Sequence, residues 1–177
     1  MRQRGAEMAV ILGFDIAATT GWALYDSGRP LAEITTGLLK CDSGTPEQKA
    51  AEMGKMAHLL LSGAAKAADK VVIEEPLRVI VGYGGGRINP AAMASLNALA
   101  GAVCAVAALH GKPVITAPVA SWRKGFLGYA RKKGMAAKDY KRACMERCRL
   151  LGISVARHDA ADAVGVAFYG AVNVNPR

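Results

Sequence analysis

Four carboxylates stand where this chain can bring distant side chains together. Asp15 closes the apolar run of ILGFDIAATTGWALYD, Glu74 closes KVVIEEP, and Asp159 and Asp162 lie three apart in HDAADAVGVAFYG. Acids gathered at one point repel, and each pKa rises unless a cation compensates. Oxygen ligands of this hardness select magnesium or manganese over zinc. Two such ions about 3.5–4 Å apart can activate a water and stabilise the leaving 3′ oxygen of a phosphodiester. No side-chain nucleophile is then needed, and none of His58, His110 and His158 sits beside a serine in a nucleophile elbow. His158 adjoins Asp159; it reads either as a neighbour of the acids or as an exposed residue before a helix. Local roles compete for the acids too: Asp15 in a turn, and Asp159 with Asp162 as the cap and dipole partner of a helix start.

The elements around these residues must do the positioning. Met8 to Asp15 is a nearly continuous apolar run, as expected of a central strand covered on both faces. Strands at Thr20–Tyr25 and Leu31–Leu38 follow, parted by the Asp26-Ser27-Gly28 turn signal, and an antiparallel meander is the simplest connection. Thr45-Pro46-Glu47 opens a helix reaching about Asp69, and Lys70 to Glu75 returns as a strand, which implies a parallel crossover. Glu74 shares a strand face with Val72, and Glu75 shares one with Val71 and Ile73, so alternation alone does not choose between the two acids. The segment LRVIVGYGGGRIN reads as a mobile loop. Asn89-Pro90 starts a helix to about His110, almost wholly small or apolar. Such a helix must be buried nearly all round, with one face on the sheet and the other against a second subunit, or else entirely within the monomer. Lys112 to Thr116 is a last strand, a basic helical region follows, and His158 to Gly170 closes the chain as a helix.

With 177 residues, 52% of them hydrophobic, one core and one domain over 1–177 are expected. Charge is uneven. Residues 1–90 carry ten Lys/Arg and ten Asp/Glu, whereas residues 91–177 carry thirteen against four, so the net +9 belongs to the second half. Between Arg123 and Arg157 only Asp139 and Glu146 are acidic, and a polyanion is the expected partner. Arg123, Lys124, Arg131, Lys132, Lys133, Lys138, Lys141 and Arg142 are the candidate phosphate contacts; a solvated charged face is the plainer alternative. This stretch lacks a long apolar face, no apolar run is judged to reach membrane-spanning length, and the start reads as a strand, not a signal peptide. Cys41, Cys104, Cys144 and Cys148 form neither a disulfide framework nor a zinc ribbon and read as small buried thiols, which fits a reducing, cytoplasmic setting.

Meander, crossover and acid placement together resemble the RNase H-like fold: α/β, with a central five-stranded mixed sheet, a three-strand antiparallel meander plus parallel strands, flanked by helices. The local strings resemble the RuvC family of Holliday junction resolvases more closely. ILGFDIAATTGWALYD is similar to that family's opening strand with its first catalytic Asp. VVIEEP is similar to the strand whose acid follows Ile, which favours Glu74 over Glu75, and DAADAVGVA is similar to the closing-helix motif with two acids. A strand ending in Asp before Gly and Thr also opens actin-like ATPases, so the first string alone is weak; the three together are specific, and they span nearly the whole chain. The resemblance implies a homodimer, joined through the helix at 90–110, that cuts four-way DNA junctions symmetrically. Asp15, Glu74, Asp159 and Asp162 would be both catalytic and metal-holding, with two Mg2+ (or Mn2+) per site. It also implies basic residues near Arg123 and Lys138, with Lys124 able to substitute, and a junction-probing loop. Here that loop has Leu77 near the expected aromatic position and Tyr83 and Arg87 further along as DNA contacts, a departure that bears on junction selectivity. The alternatives are a RuvC-like nuclease with relaxed choice of branched or flapped DNA, a non-catalytic DNA-binding module, and an actin-like ATPase fragment, for which the chain is short.

Overall fold

In the computed structural model, which describes residues 8–76 and 89–173, the apolar run at the start forms the central strand β1 (Val10–Asp15). Antiparallel to it runs β2 (Thr19–Asp26), which pairs in turn with β3 (Thr35–Lys40). On the other side of β1 lie β4 (Lys70–Glu74) and β5 (Val114–Ala117), both parallel, giving the order β3-β2-β1-β4-β5. This is the five-stranded mixed sheet expected from the sequence.

Helix α1 (Pro46–Ser62) starts on a Thr45/Gln48 capping box with Pro46 in the first turn. It ends seven residues before the predicted Asp69, because Gly63 takes the C-cap and the chain turns there. The third strand also starts later than predicted. Pro30 fixes φ at −55°, and Leu31–Glu33 form a short 3-10 turn whose N–H groups at Glu33 and Ile34 bond back to Pro30 and Leu31.

Two cores lie on opposite faces of the sheet. Leu12, Phe14, Val71 and Ile73 point to one, which α1 and α2 (Pro90–Leu109) complete with Met53, Leu61, Leu99 and Val103. Ile11, Ala23, Tyr25 and Val72 point to the other, under α3 (Val119–Leu127), α4 (Ala137–Leu150) and α5 (His158–Val172). Helix α5 lies directly on the strands. A Cβ at Gly13 of β1 would stand 2.6 Å from the Ala167 backbone nitrogen, so only glycine permits that approach.

Helix α2 is covered on one side within this chain: only Leu99, Ala100, Val103 and Ala107 are buried, which sets aside burial wholly within the monomer and leaves the other side open. It is also, by length and composition, apolar enough to cross a bilayer, with 20 residues and a mean hydropathy of 1.9. This corrects the expectation that no apolar run reaches membrane-spanning length. In the fold its buried side packs on α1.

Candidate active site

Strand alternation places Asp15 on the same face as Ile11 and Gly13, toward α5. Its partner across the antiparallel ladder is Gly21. A Cβ there would run into the Asp159 carbonyl, so the missing side chain lets the first turn of α5 settle beside the end of β1. On β4, Val72 belongs to the α5 core and Val71 and Ile73 to the opposite one. Glu74 therefore emerges on the α5 side, next to Asp15, one step beyond the Phe14/Ile73 pair. Tertiary packing thus makes the choice between Glu74 and Glu75 that periodicity left open. Both also line a small cavity closed by Ile16, Pro76, Leu96 and Ala100.

Asp159 and Asp162 sit in the first turns of α5, each 6% exposed. The capping role is not theirs: Arg157 holds the N-cap position and makes no side-chain cap bond. Asp15 stands within the electrostatic reach of the other three. Burial, then the charges of Glu74, Asp162 and Asp159, push the Asp15 carboxyl up to about 8. Burial raises Glu74 as well, opposed by a hydrogen bond from Trp122 and the charge of Arg123. Asp162 is raised by burial and pulled back by a hydrogen bond from the Cys144 thiol and by Arg123, Lys141 and His158.

Basic side chains surround Asp159. Lys141 Nζ lies 4.0 Å from Asp159 Oδ1, Arg157 Nε lies 3.6 Å from Oδ2, and His158 Nδ1 lies 2.8 Å from Oδ1. His158 is thus a neighbour of the site. Arg123 is half-buried, its guanidinium 5.3 Å from the Trp122 ring centre and 4.8 Å from that of Tyr140. Lys138 is exposed in the first turn of α4, and one turn on Lys141 lies beside the acids. Lys124, Arg131, Lys132, Lys133 and Arg142 are exposed around α3, α4 and their connection, Lys132 with its Nζ 5.8 Å from the Tyr129 ring and Arg142 paired with Asp139 at 3.2 Å. Leu77, Tyr83 and Arg87 lie outside the described residues.

Sequence reasoning missed Trp122, Arg157 and Gly21. A tryptophan between Ser121 and Arg123 in a basic run carries one usable signal, since a buried indole N–H needs an acceptor, but nothing in the string says which. All four cysteines are free, and Cys41, Cys144 and Cys148 are buried as expected; burial raises Cys144 and pushes Cys148 up to about 12.

Does this pocket suit a cation? Among the described residues, no three His, Cys, Asp or Glu side chains are gathered tightly enough to hold a metal as they stand. The donor chemistry nevertheless fits a hard divalent ion. Asp159 Oδ2 and Asp162 Oδ1 are buried without a hydrogen-bond partner, and the mutual repulsion at Asp15 is what a bound cation relieves.

Scanned against family models, the sequence matches none, and no curated protein matches it either. Its three-dimensional arrangement does have counterparts. Thermus thermophilus RuvC superposes with a TM-score of 0.63 at 16% identity, over 93% of this chain and 95% of that one. The same organism's RuvC in complex with Holliday junction substrate gives 0.65 at 17% identity, over 94% of each chain. The chain has the fold of RuvC. The yeast mitochondrial Holliday junction resolvase shares it too, with a TM-score of 0.59 at 10% identity over 93% of this chain and 78% of that one. A RuvC fold is an RNase H-like fold, in agreement with the sheet order and with the closing helix laid over β1 and β2.

Proposed function

We propose that this chain is a metal-dependent DNA endonuclease of the junction-resolving kind, folded as one nuclease domain over residues 1–177. The observation that carries the reading is the convergence of Asp15, Glu74, Asp159 and Asp162 on the α5 side of a RuvC fold, with two buried carboxylate oxygens left without a hydrogen-bond partner. Those four side chains would hold two Mg2+ or Mn2+ ions. When bound, the ions supply the charge that activates an attacking water and stabilises the leaving 3′ oxygen.

The protein's own groups do the rest. Lys141 and Arg157 hold Asp159 in place, and Arg123, braced between two aromatic rings, offsets the charge of Glu74 and Asp162. Lys124, Arg131, Lys132, Lys133, Lys138 and Arg142 form the exposed basic surface that grips backbone phosphates, giving affinity with little sequence reading. A homodimer joined through the uncovered side of α2 would present two such sites for symmetric cuts. On this reading the protein is a cytoplasmic enzyme acting on branched DNA.

Support comes from the substrate bound to the Thermus thermophilus RuvC, a Holliday junction. The test compares four-way junctions, flaps and plain duplex with Mg2+ or Mn2+. Paired cuts in the junction are expected, with Asp15→Asn and Glu74→Gln abolishing cleavage while binding survives. Cutting of flaps at the same rate would establish a RuvC-like nuclease of relaxed choice, and retained cleavage in both variants would sink the assignment of these acids.

A further inference from the structure

Trp122 is wholly buried, and its indole Nε1 donates a 2.9 Å hydrogen bond to Glu74 Oε2 across 48 residues of sequence. An indole nitrogen is a donor only and cannot itself hold a cation. We propose that Trp122 is a positioning residue that aims Glu74: it occupies Oε2 and leaves Oε1 as the oxygen that meets the metal. This rests on the reading of the four acids as a divalent-metal site.

The ring is held from several sides. Helix α3 begins directly after Pro118, and the Trp122 amide bonds back to the Pro118 carbonyl, fixing the backbone one turn in. On α5, Gly165 lies against the indole so closely that a Cβ would stand 2.6 Å from it. Arg123 lies over the same ring. Since α5 also carries Asp159 and Asp162, the indole links the acid of β4 to the helix that brings the other two. Its hydrogen bond to a charged acceptor is among the stronger ones in proteins. A partner that orients a metal ligand in this way commonly governs metal affinity by about 10- to 100-fold.

Two measurements test it. In Trp122→Phe, which keeps a ring and loses the donor, the Mg2+ concentration for half-maximal cleavage should rise about 10- to 100-fold, with much of the rate recovered at saturating metal. The second needs no catalysis. With Trp22→Phe as background, Trp122 is the remaining tryptophan, and its emission should change on titration with Mg2+, or be quenched by Mn2+. The change should be saturable, and Glu74→Gln should remove it. If Trp122→Phe does not fold, this titration decides alone. A metal that stabilises the protein against heat yet leaves the Trp122 emission unmoved would overturn the proposal, as would an unchanged metal requirement in Trp122→Phe. Absence of cleavage on every branched DNA, with the emission response intact, would instead refute the nuclease reading and leave the indole's link to a metal-holding Glu74 standing.

Discussion

Replacing Asp15 by asparagine should stabilise the metal-free protein, increasingly as pH rises from about 4 to about 8. The Asp15 carboxyl has its pKa raised from 3.8 to about 8, first by burial and then by Glu74, Asp162 and Asp159. Between those two values the folded state holds the proton more tightly than the unfolded chain. Stability without metal therefore falls as pH rises through that window and levels off above about 8. Each unit corresponds to about 1.4 kcal/mol, which sets a ceiling of about 6 kcal/mol. Relaxation and water entry lower it, as the moderate effective dielectric of protein interiors implies, and about 2–3 kcal/mol is the expected gain. For a chain of this size that is a rise of about 5–10 °C in Tm. The assay is thermal unfolding in EDTA at pH 4.5 and pH 8.5. Asp15→Asn should match the wild type at the lower pH and exceed it at the higher. Excess Mg2+ at pH 8.5 should shrink the difference by stabilising the wild type more. Equal melting of the two proteins at both pH values would refute the picture of a crowded, uncompensated carboxylate.

Other predictions address the scaffold and the surface. Gly21→Ala should cost about 3 kcal/mol, the upper end for overpacking, because the new methyl meets the Asp159 backbone; a Tm close to wild type would show that α5 can shift aside. At Gly101 on α2, no atom of the described residues beyond its own helix backbone lies within 4 Å of a would-be Cβ, so Gly101→Arg should leave the folded monomer intact and split the proposed dimer. Light scattering that still reports a dimer would move the interface elsewhere. If the exposed basic residues each neutralise a phosphate, junction affinity should fall with a log–log salt slope of about −5, and a flat response would remove the electrostatic grip.

Much of this was legible along the chain because it depends on local chemistry. The apolar run of β1, the Thr45-Pro46 start of α1 and the Asn89-Pro90 start of α2 are punctuated by residues whose own backbone and side-chain preferences define the boundary. The four acids stood out because each closes a strand or opens a helix. Boundaries that depend on competition between neighbours were misread, such as the late start of β3 behind Pro30 and the early end of α1 at Gly63.

What the sequence determined by itself was the inventory: four acids at element ends, a basic second half, and an α2 with hardly any polar face. Which side of β4 faces α5 was a matter for the tertiary structure, since strand alternation is symmetric until something covers one face. Packing of Val72 under α5 selected Glu74, and packing of Gly21 against the Asp159 backbone brought the helix acids to it. The same folding set Lys141 beside Asp159 and gave Trp122 its acceptor. These contacts join residues from 18 positions apart, for Lys141 and Asp159, to 138, for Gly21 and Asp159, and no local preference encodes them.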